Sequence, residues 1–138
     1  MSMTAEIQAE YSLNAGQTWW PVATFEIGTA RRFALALQGA GLKERGLPED
    51  VFESFQDRYA ARLAAYPQEI FGATWFSSAE LSKLMDARLW LSAEDLERVP
   101  LHAYDGYTET DTVAAWSAFA QVHETNGHPV RFVVWFEW

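Results

Sequence analysis

The closing run of the sequence, residues 130–138, constrains the fold more than any other segment. It reads Val-Arg-Phe-Val-Val-Trp-Phe-Glu-Trp, and β-branched and aromatic residues of this kind favour a strand. Chain ends are usually polar and frayed unless the fold holds them in place. We therefore expect this end of the chain to pack inside a domain or against another chain.

The two faces of this predicted strand differ, because successive side chains of a strand point in opposite directions. One face is wholly apolar and predicts core packing; it carries Val130, Phe132, Val134, Phe136 and Trp138. The other face is half apolar; it carries Arg131, Val133, Trp135 and Glu137. This pattern favours a central strand that is covered on both sides. The alternative is a ligand groove or a dimer contact over Trp135.

Two further strands are predicted near the N-terminus. In residues 5–13 apolar and polar side chains alternate, which is typical of a half-buried strand. Residues 14–17 (Asn-Ala-Gly-Gln) are a turn signal, and residues 18–25 are again rich in aromatic and β-branched types. Pro21 cannot donate a ladder hydrogen bond, so it predicts an edge strand or a bulge. Together these segments predict a β-hairpin.

Helical segments follow, marked by their start and stop signals. Thr29 is the expected N-cap of a helix that runs to about residue 38, and a second helix is expected from Pro48 to about residue 65. Ser77 and Glu80 match a capping box that opens a short helix to about residue 86. Residues 92–95 open another helical turn, residues 101–110 resemble a loop, and residues 112–125 predict a helix.

This order of elements predicts a single compact α+β domain that comprises residues 1–138. The N-terminal hairpin and the C-terminal strand are expected to form a small, mainly antiparallel sheet, and residues 71–76 a short strand or extended segment. We expect the helices to pack on one face of that sheet. No repeat, linker or low-complexity segment divides the chain.

Composition excludes several classes of function. The chain has no cysteine, so disulfides, thiolate nucleophiles and cysteine-ligated metals are excluded. We see no secretory signal and no apolar run long enough to span a bilayer, and we expect a cytoplasmic protein without membrane contact. The 19 acidic and 10 basic residues give a net charge of −9. Because nucleic-acid binding depends on Lys and Arg, we expect no direct binding of nucleic acid.

The acidic charge has two explanations. It keeps the protein dispersed in solution, or it forms a surface that occupies the nucleic-acid site of a partner. The candidate partner-binding residues are the carboxylates of an expected loop, Asp105, Glu109 and Asp111, which lie among Tyr104 and Tyr107. A charged loop that contacts only solvent is the alternative.

Two other segments suggest a ligand site. Arg31 and Arg32 lie near the start of the first helix, where two guanidinium groups and free backbone amides could grip a phosphate. Thr74 and Trp75 could line a pocket in which Trp75 stacks on a planar ligand, with Trp135 nearby. Surface ion pairing and core packing are the alternatives.

Catalytic and metal-binding patterns are sparse. His123 and His128 are separated by a helix-breaking Asn-Gly pair and do not share a helix face, so we expect no metal site and no cofactor. Asp105, Asp111 and His102 are the candidate acid–base groups if the chain is instead a small enzyme that acts on a nucleotide or nucleic acid. We find no Gly-rich phosphate loop and no nucleophile elbow.

Four segments, in order, resemble those of a group of small proteins encoded by bacteriophages and prophages. Residues 31–37 match an R-N-Y-x-x-F-x-x-L-A helix, residues 45–51 match G-L-P-x-D-V, residues 75–81 match the end of H-S-x-S-W-L-T-x-x-E-L, and residues 130–137 match V-R-x-V-F-W-F-D. Where the group has H-S-x-S, this chain has Phe-Gly-Ala-Thr at residues 71–74, so any role of that His and Ser is lost or altered. The resemblance implies a phage-like origin and no settled activity.

We therefore expect a non-enzymatic phage or prophage protein that binds a host protein in the host cytoplasm and inhibits a bacterial defence system, similar to an anti-CRISPR protein. Its acidic surface would block the nucleic-acid site of that partner. The first alternative is sequestration of a nucleotide signal in an aromatic pocket near Trp75 and Arg31. The others are the small enzyme described above and a structural or accessory phage protein that forms a homodimer.

Overall fold

Four antiparallel strands in the order β2-β1-β4-β3 form the centre of the computed structural model, which describes residues 2–98 and 106–138. The strands are β1 (Thr4–Tyr11), β2 (Trp20–Phe25), β3 (Ile70–Ser77) and β4 (Val130–Glu137). The helices are α1 (Ala30–Gly39), α2 (Glu53–Ala65), α3 (Ala93–Arg98) and α4 (Gly106–Thr125), with 3₁₀ helices at Ser78–Leu84 and Ala87–Trp90. The α+β class that the sequence predicts is confirmed.

The first and last strands pair along their whole length at the centre of the sheet. Thr4 lies opposite Glu137 and Tyr11 lies opposite Val130, so all eight residues of each strand take part. β3 pairs with the other edge of β4, whereas β2 pairs only with β1. The C-terminal run is therefore a central strand, and its side chains from residue 130 to residue 136 are buried, as predicted for a strand that is covered on both sides.

β2 is an edge strand with an irregular register, which confirms the prediction from Pro21. The register with β1 shifts between Ala9, which lies opposite Ala23, and Glu10, which lies opposite Pro21. A proline has no amide hydrogen to donate to a ladder, so an edge position with a bulge accommodates it.

The first face of the sheet packs against α1, α4 and the two 3₁₀ helices. Stacked rings fill this core: the centroids of Phe33 and Trp90 are 5.7 Å apart, and those of Phe76 and Phe132 are 5.3 Å apart. Aromatic pairs at such distances add stability beyond the burial of their area. The β4 residues of even number, from Val130 to Phe136, all belong to this core, as the alternation predicts.

The second face of the sheet packs against α2 and the segment that leads into it, so the expectation that the helices lie on one face is wrong. Val51 and Phe55 cluster with Val133 and Trp135, and the Phe55 and Trp135 ring centroids are 4.7 Å apart. The physical reason is that the second face of β4 also carries large apolar side chains, Val133 and Trp135, so it needs its own cover.

Two predicted boundaries are wrong. α2 begins at Glu53 rather than Pro48, because Asp50 accepts a hydrogen bond from Arg131 and the Phe52 amide donates to Glu10, which together hold this segment against the sheet. Residues 106–110 belong to α4 rather than to a loop. The rest of the expected loop, residues 101–105, lies outside the described residues.

Candidate functional site

The predicted pocket residues Thr74, Trp75 and Trp135 have structural roles in the fold. Thr74 is buried; its hydroxyl donates to the Leu42 carbonyl and accepts from the Arg45 amide at 3.3 Å. Trp75 packs in the same cluster as Trp135, and the Arg45 guanidinium lies 5.3 Å from the centroid of the Trp75 ring. Because neighbouring strand residues face opposite ways, Thr74 points away from that cluster.

The predicted phosphate grip of Arg31 and Arg32 is not assembled. Arg32 donates to the Glu109 carboxylate at 3.3 Å, whereas the Arg31 guanidinium lies 5.5 Å from the centroid of the Trp138 ring. Both arginines belong to α1 on the first face of the sheet, while Trp75 lies on the second face. The expected pocket that combines Arg31 with Trp75 is therefore not formed, since the sheet separates them.

The three predicted partner-binding carboxylates differ in where they lie relative to the described structure. Glu109 is only 5% exposed; it accepts hydrogen bonds from Arg32 and, at 2.9 Å, from the Thr29 hydroxyl. Its carboxylate thus joins α4 to α1, and the expectation of an accessible loop carboxylate is wrong for this residue. Thr29 precedes α1 as predicted, but its side chain makes no cap hydrogen bond. Asp111 is an exposed residue of α4, and Asp105 and His102 lie outside the described residues.

Neither a metal cluster nor a membrane-spanning helix occurs in residues 2–98 and 106–138. Within these residues no three His, Asp or Glu side chains approach closely enough to hold a metal ion. His123 and His128 instead flank Tyr11, with ring centroids 5.3 and 5.9 Å from the Tyr11 ring. No helix in this part of the chain is both long and apolar enough to cross a bilayer.

A buried ion pair lies on the second face of the sheet, next to the start of α2. Arg131 and Glu10 are register partners on β4 and β1, and the Arg131 Nε donates to Glu10 Oε1 at 2.9 Å. The Arg131 guanidinium also donates to the Asp50 carboxylate at 2.8 Å and to its carbonyl at 3.2 Å. A buried charge is tolerated when its partners satisfy it, and here all three groups hold one another in place.

This ion pair also positions aromatic side chains at the surface. The second oxygen of Glu10 accepts from the Phe52 amide at 2.9 Å, and the Phe52 ring lies 5.5 Å from that of Trp20. On the other side of Arg131, its guanidinium lies 4.1 Å from the centroid of the Trp19 ring. Trp20 is 49% exposed although its backbone is part of β2. The result is a large exposed indole on a rigid support.

Exposed carboxylates precede and follow Phe52 in the chain. Glu49 and Asp50 lie just before Phe52, and Glu53 and Asp57 follow it on α2, one helical turn apart; all four are exposed. We define the acidic–aromatic surface by Trp20, Phe52, Glu49, Glu53 and Asp57. It combines the Trp20–Phe52 ring pair with exposed carboxylates of the chain segment that contains Phe52.

In the described residues, nearly all cationic side chains are in ion pairs, but not all carboxylates are. Nine of the ten Lys and Arg side chains lie within 4.0 Å of a carboxylate; the tenth is Arg31. Glu49, Glu53 and Asp57 are not among the carboxylates of those pairs. An approaching molecule therefore meets negative charge at the acidic–aromatic surface.

Sequence reasoning missed Glu10, Asp50 and Trp20 as parts of one site. Glu10 belongs to the polar face of a strand that was expected to be half-buried, yet it is completely buried under the residues before α2. One signal was present: Arg131 is a single charge within a strand predicted to be covered on both faces, and such a charge requires a buried partner.

Comparisons with known proteins add no constraint. No protein-family model, curated protein or solved structure matches this chain. Function must therefore be inferred from the chain's own side chains, of which the acidic–aromatic surface is the most distinctive arrangement.

Proposed function

We propose that this chain is a non-enzymatic binding protein whose acidic–aromatic surface occupies the basic, nucleic-acid-binding surface of a host protein. The observation that carries the proposal is the charge distribution. Nearly all cations are in ion pairs, while exposed Glu49, Glu53 and Asp57 are in none of those pairs and lie close in the chain to Phe52, whose ring packs on the exposed Trp20. Complementary charge steers association and selects the partner. A surface that binds nucleic acid through Lys and Arg is complementary to it.

Trp20 is the expected centre of the interface. Trp is among the residue types that contribute most to binding energy, above all when contacts around it exclude water. Its ring already packs against Phe52, whose amide is held by Glu10, so little conformational freedom is lost on binding. A partner arginine suits both parts of this surface, because its guanidinium stacks on aromatic rings and pairs with carboxylates.

The biological role that we propose is inhibition of a bacterial defence system in the host cytoplasm, of the anti-CRISPR kind. It rests on the resemblance of residues 31–37, 45–51, 75–81 and 130–137 to phage-encoded proteins, together with the acidic surface. Many defence proteins must bind nucleic acid to act, so a protein that occupies that site stops them.

The three alternative functions have less support than the binding protein. The nucleotide pocket would need Arg31 and Trp75 together, and they lie on opposite faces of the sheet. The small enzyme would depend on Asp105, Asp111 and His102. Asp111 is exposed on α4, and the other two lie outside the described residues. A homodimer is compatible with the fold. However, the acidic–aromatic surface has no feature that would attract a second copy of this acidic chain.

The test is affinity capture from cells that carry a defence system, followed by a nucleic-acid binding assay on the captured protein. We expect a stoichiometric partner that releases its nucleic acid when this chain is added. The triple substitution Glu49→Gln, Glu53→Gln and Asp57→Asn should abolish capture, and so should Trp20→Ser.

A matched control removes three exposed carboxylates elsewhere: Glu26→Gln, Glu94→Gln and Glu97→Gln. It changes the net charge equally and should leave capture intact. A partner that binds both triple variants equally, or that keeps its nucleic acid while bound, would contradict the proposal.

A further inference from the structure

β1 extends beyond its partner β2, which leaves part of one edge of β1 open. β1 pairs with β4 over its whole length, but its ladder with β2 ends where Ile7 lies opposite Phe25. Thr4 and Ala5 therefore have a neighbouring strand on one side only. In the described residues no other backbone–backbone hydrogen bond reaches either of them. Successive residues of a strand direct their N–H and C=O groups to alternate edges, so one of these two residues has both groups unpaired.

The open edge of β1 faces a cleft of about 630 Å³. Residues 2–7 line one wall and residues 24–28 line the other, and Arg58 of α2 also borders the cleft. Both odd and even residues of the two segments take part, so the cleft lies at the edge of the sheet rather than on one face. After Phe25 the chain leaves the sheet, and α1 begins at Ala30. The cleft therefore lies where a longer β2 would continue its pairing with β1.

The side chains of this cleft are of two kinds. Glu26 is exposed and is in none of the ion pairs of the described residues. Glu6 lies 3.8 Å from Arg58, and both side chains are about half exposed, so the charges of this pair offset each other and Glu26 leaves the cleft negative. The apolar side chains are partly buried and pack against the first core; they are Met3, Ala5 and Ile27.

We propose that the open edge of β1 binds an extended peptide segment of another protein, in which apolar and basic residues alternate, as an added strand. A strand presents C=O and N–H groups at the spacing that the unpaired groups of β1 require. Its side chains point alternately to the two faces, so apolar residues meet the first core while basic residues meet Glu26 and Glu6.

A second copy of this chain fits the open edge less well. Pairing of two β1 edges would bring Glu6 and Glu26 of both acidic chains together, and like charges across an interface oppose association. The proposal does not rest on the proposed function, because the cleft shares no residue with the acidic–aromatic surface.

The experiment titrates the protein with the synthetic peptide acetyl-Lys-Val-Lys-Val-Lys-amide and follows the backbone amide signals by NMR. We expect saturable shifts at residues 2–7 and 24–28. We also expect slower hydrogen exchange at one of the two amides of Thr4 and Ala5, because the other is already bonded to β4.

Two N-methylated forms of the peptide test the backbone pairing. One carries N-methyl groups on the Val residues and the other on the Lys residues, so only one form loses the amides that face β1. That form should bind about tenfold more weakly or not at all, and the other should bind like the parent peptide.

Two charge variants of the protein test the selection of basic residues. Glu26→Lys should weaken binding of the parent peptide several-fold. Glu97→Lys changes the net charge equally at an exposed position outside the cleft and should have no effect beyond that of general charge.

The inference is overturned if the peptide causes no saturable shift at the cleft, or if both N-methylated forms bind as tightly as the parent. Slower exchange of the Thr4 or Ala5 amide that grows with protein concentration, without peptide, also overturns it, because a second copy would then occupy the edge.

Discussion

At the scale of residues, Glu10 and Arg131 form an ion pair in which both side chains are buried. Removing two charges from water is costly, and a buried pair often adds little net stability compared with apolar residues. Its value here lies in position: one carboxylate holds the Arg131 guanidinium and the Phe52 amide, and the guanidinium holds Asp50. The pair therefore connects the register of β1 and β4 to the acidic–aromatic surface.

A double-mutant cycle separates stability from this positioning role. Glu10→Leu alone leaves Arg131 without its buried partner and should lower the free energy of unfolding by about 3 kcal/mol. Glu10→Leu combined with Arg131→Met should lie within about 1 kcal/mol of the unmodified protein, because the unpaired charge is gone. Denaturation in urea measures both values. Arg131→Met alone is measured as well. If the changes in the free energy of unfolding caused by the two single substitutions add up to that of the double variant, this account is contradicted.

Glu80 is the residue whose ionisation depends most clearly on a neighbour. Two hydrogen bonds from the Arg45 guanidinium, at 2.8 and 2.7 Å, lower the pKa of Glu80 from its ordinary 4.5 to about 2. The same carboxylate completes a capping box with Ser77 at the start of the first 3₁₀ helix, as the sequence predicts. This 3₁₀ helix ends at Leu84, slightly before the predicted end.

The lowered pKa predicts an acid-dependent loss of stability. The group binds its proton more weakly in the folded chain than in the unfolded chain, so its stabilisation is complete above pH 4.5 and is lost as the pH falls towards 2. An NMR titration of the Glu80 carboxyl carbon should have a midpoint near 2, and Arg45→Gln should move it towards 4.5. A midpoint near 4.5 in the unmodified protein would exclude the proposed pairing in solution.

At the scale of elements, β3 depends on a glycine. Gly72 has a φ of +70° at the point where the register with β4 shifts between Phe71 and Thr74. A Cβ at this position would lie 2.8 Å from Cδ2 of Phe136, which is itself packed in the first core. Both the backbone conformation and the close approach therefore require glycine.

Gly72→Ala should lower the free energy of unfolding by about 1–3 kcal/mol, because it combines a strained φ with a steric clash. Gly28→Ala is the matched control: a Cβ there meets nothing within 4 Å, and its φ is not in the left-handed region. That control should change stability by no more than about 1 kcal/mol, and it should be neutral or stabilising. Thermal or urea unfolding of the two variants makes the comparison, and equal destabilisation would refute the bulge argument.

The two outer edges of the sheet are protected differently. On β3 the Gly46 amide donates to the Ala73 carbonyl at 2.9 Å, and Arg45 donates to the Trp75 carbonyl at 3.3 Å. On β2 the protection comes from Pro21 and the irregular register. Both devices reduce pairing with another chain through an exposed strand edge. The protection of β3 depends on tertiary contacts, whereas that of β2 can be predicted from Pro21 in the sequence.

At the scale of the whole molecule, most of the positive charge is in ion pairs, whereas part of the negative charge is not. The sequence gives a net charge of −9 but does not say where it lies. In the described residues almost all cations are in ion pairs, whereas the exposed Glu49, Glu53 and Asp57 of the acidic–aromatic surface are in none of those pairs. Glu109, one of the residues expected to carry the partner surface, instead connects α4 to Thr29 and to Arg32 of α1. The location of the site thus had to come from the fold.

The sequence by itself determined the features that depend on near neighbours in the chain. Alternation in β4, the proline of β2 and the Ser77 capping box each act within a few residues, and the fold contains all three. Only the tertiary structure decided which face α2 covers, why Glu10 is buried, and why Trp20 is exposed. The physical reason is that Glu10, Asp50 and Arg131 are far apart in sequence, so their meeting depends on strand order and on the packing of α2.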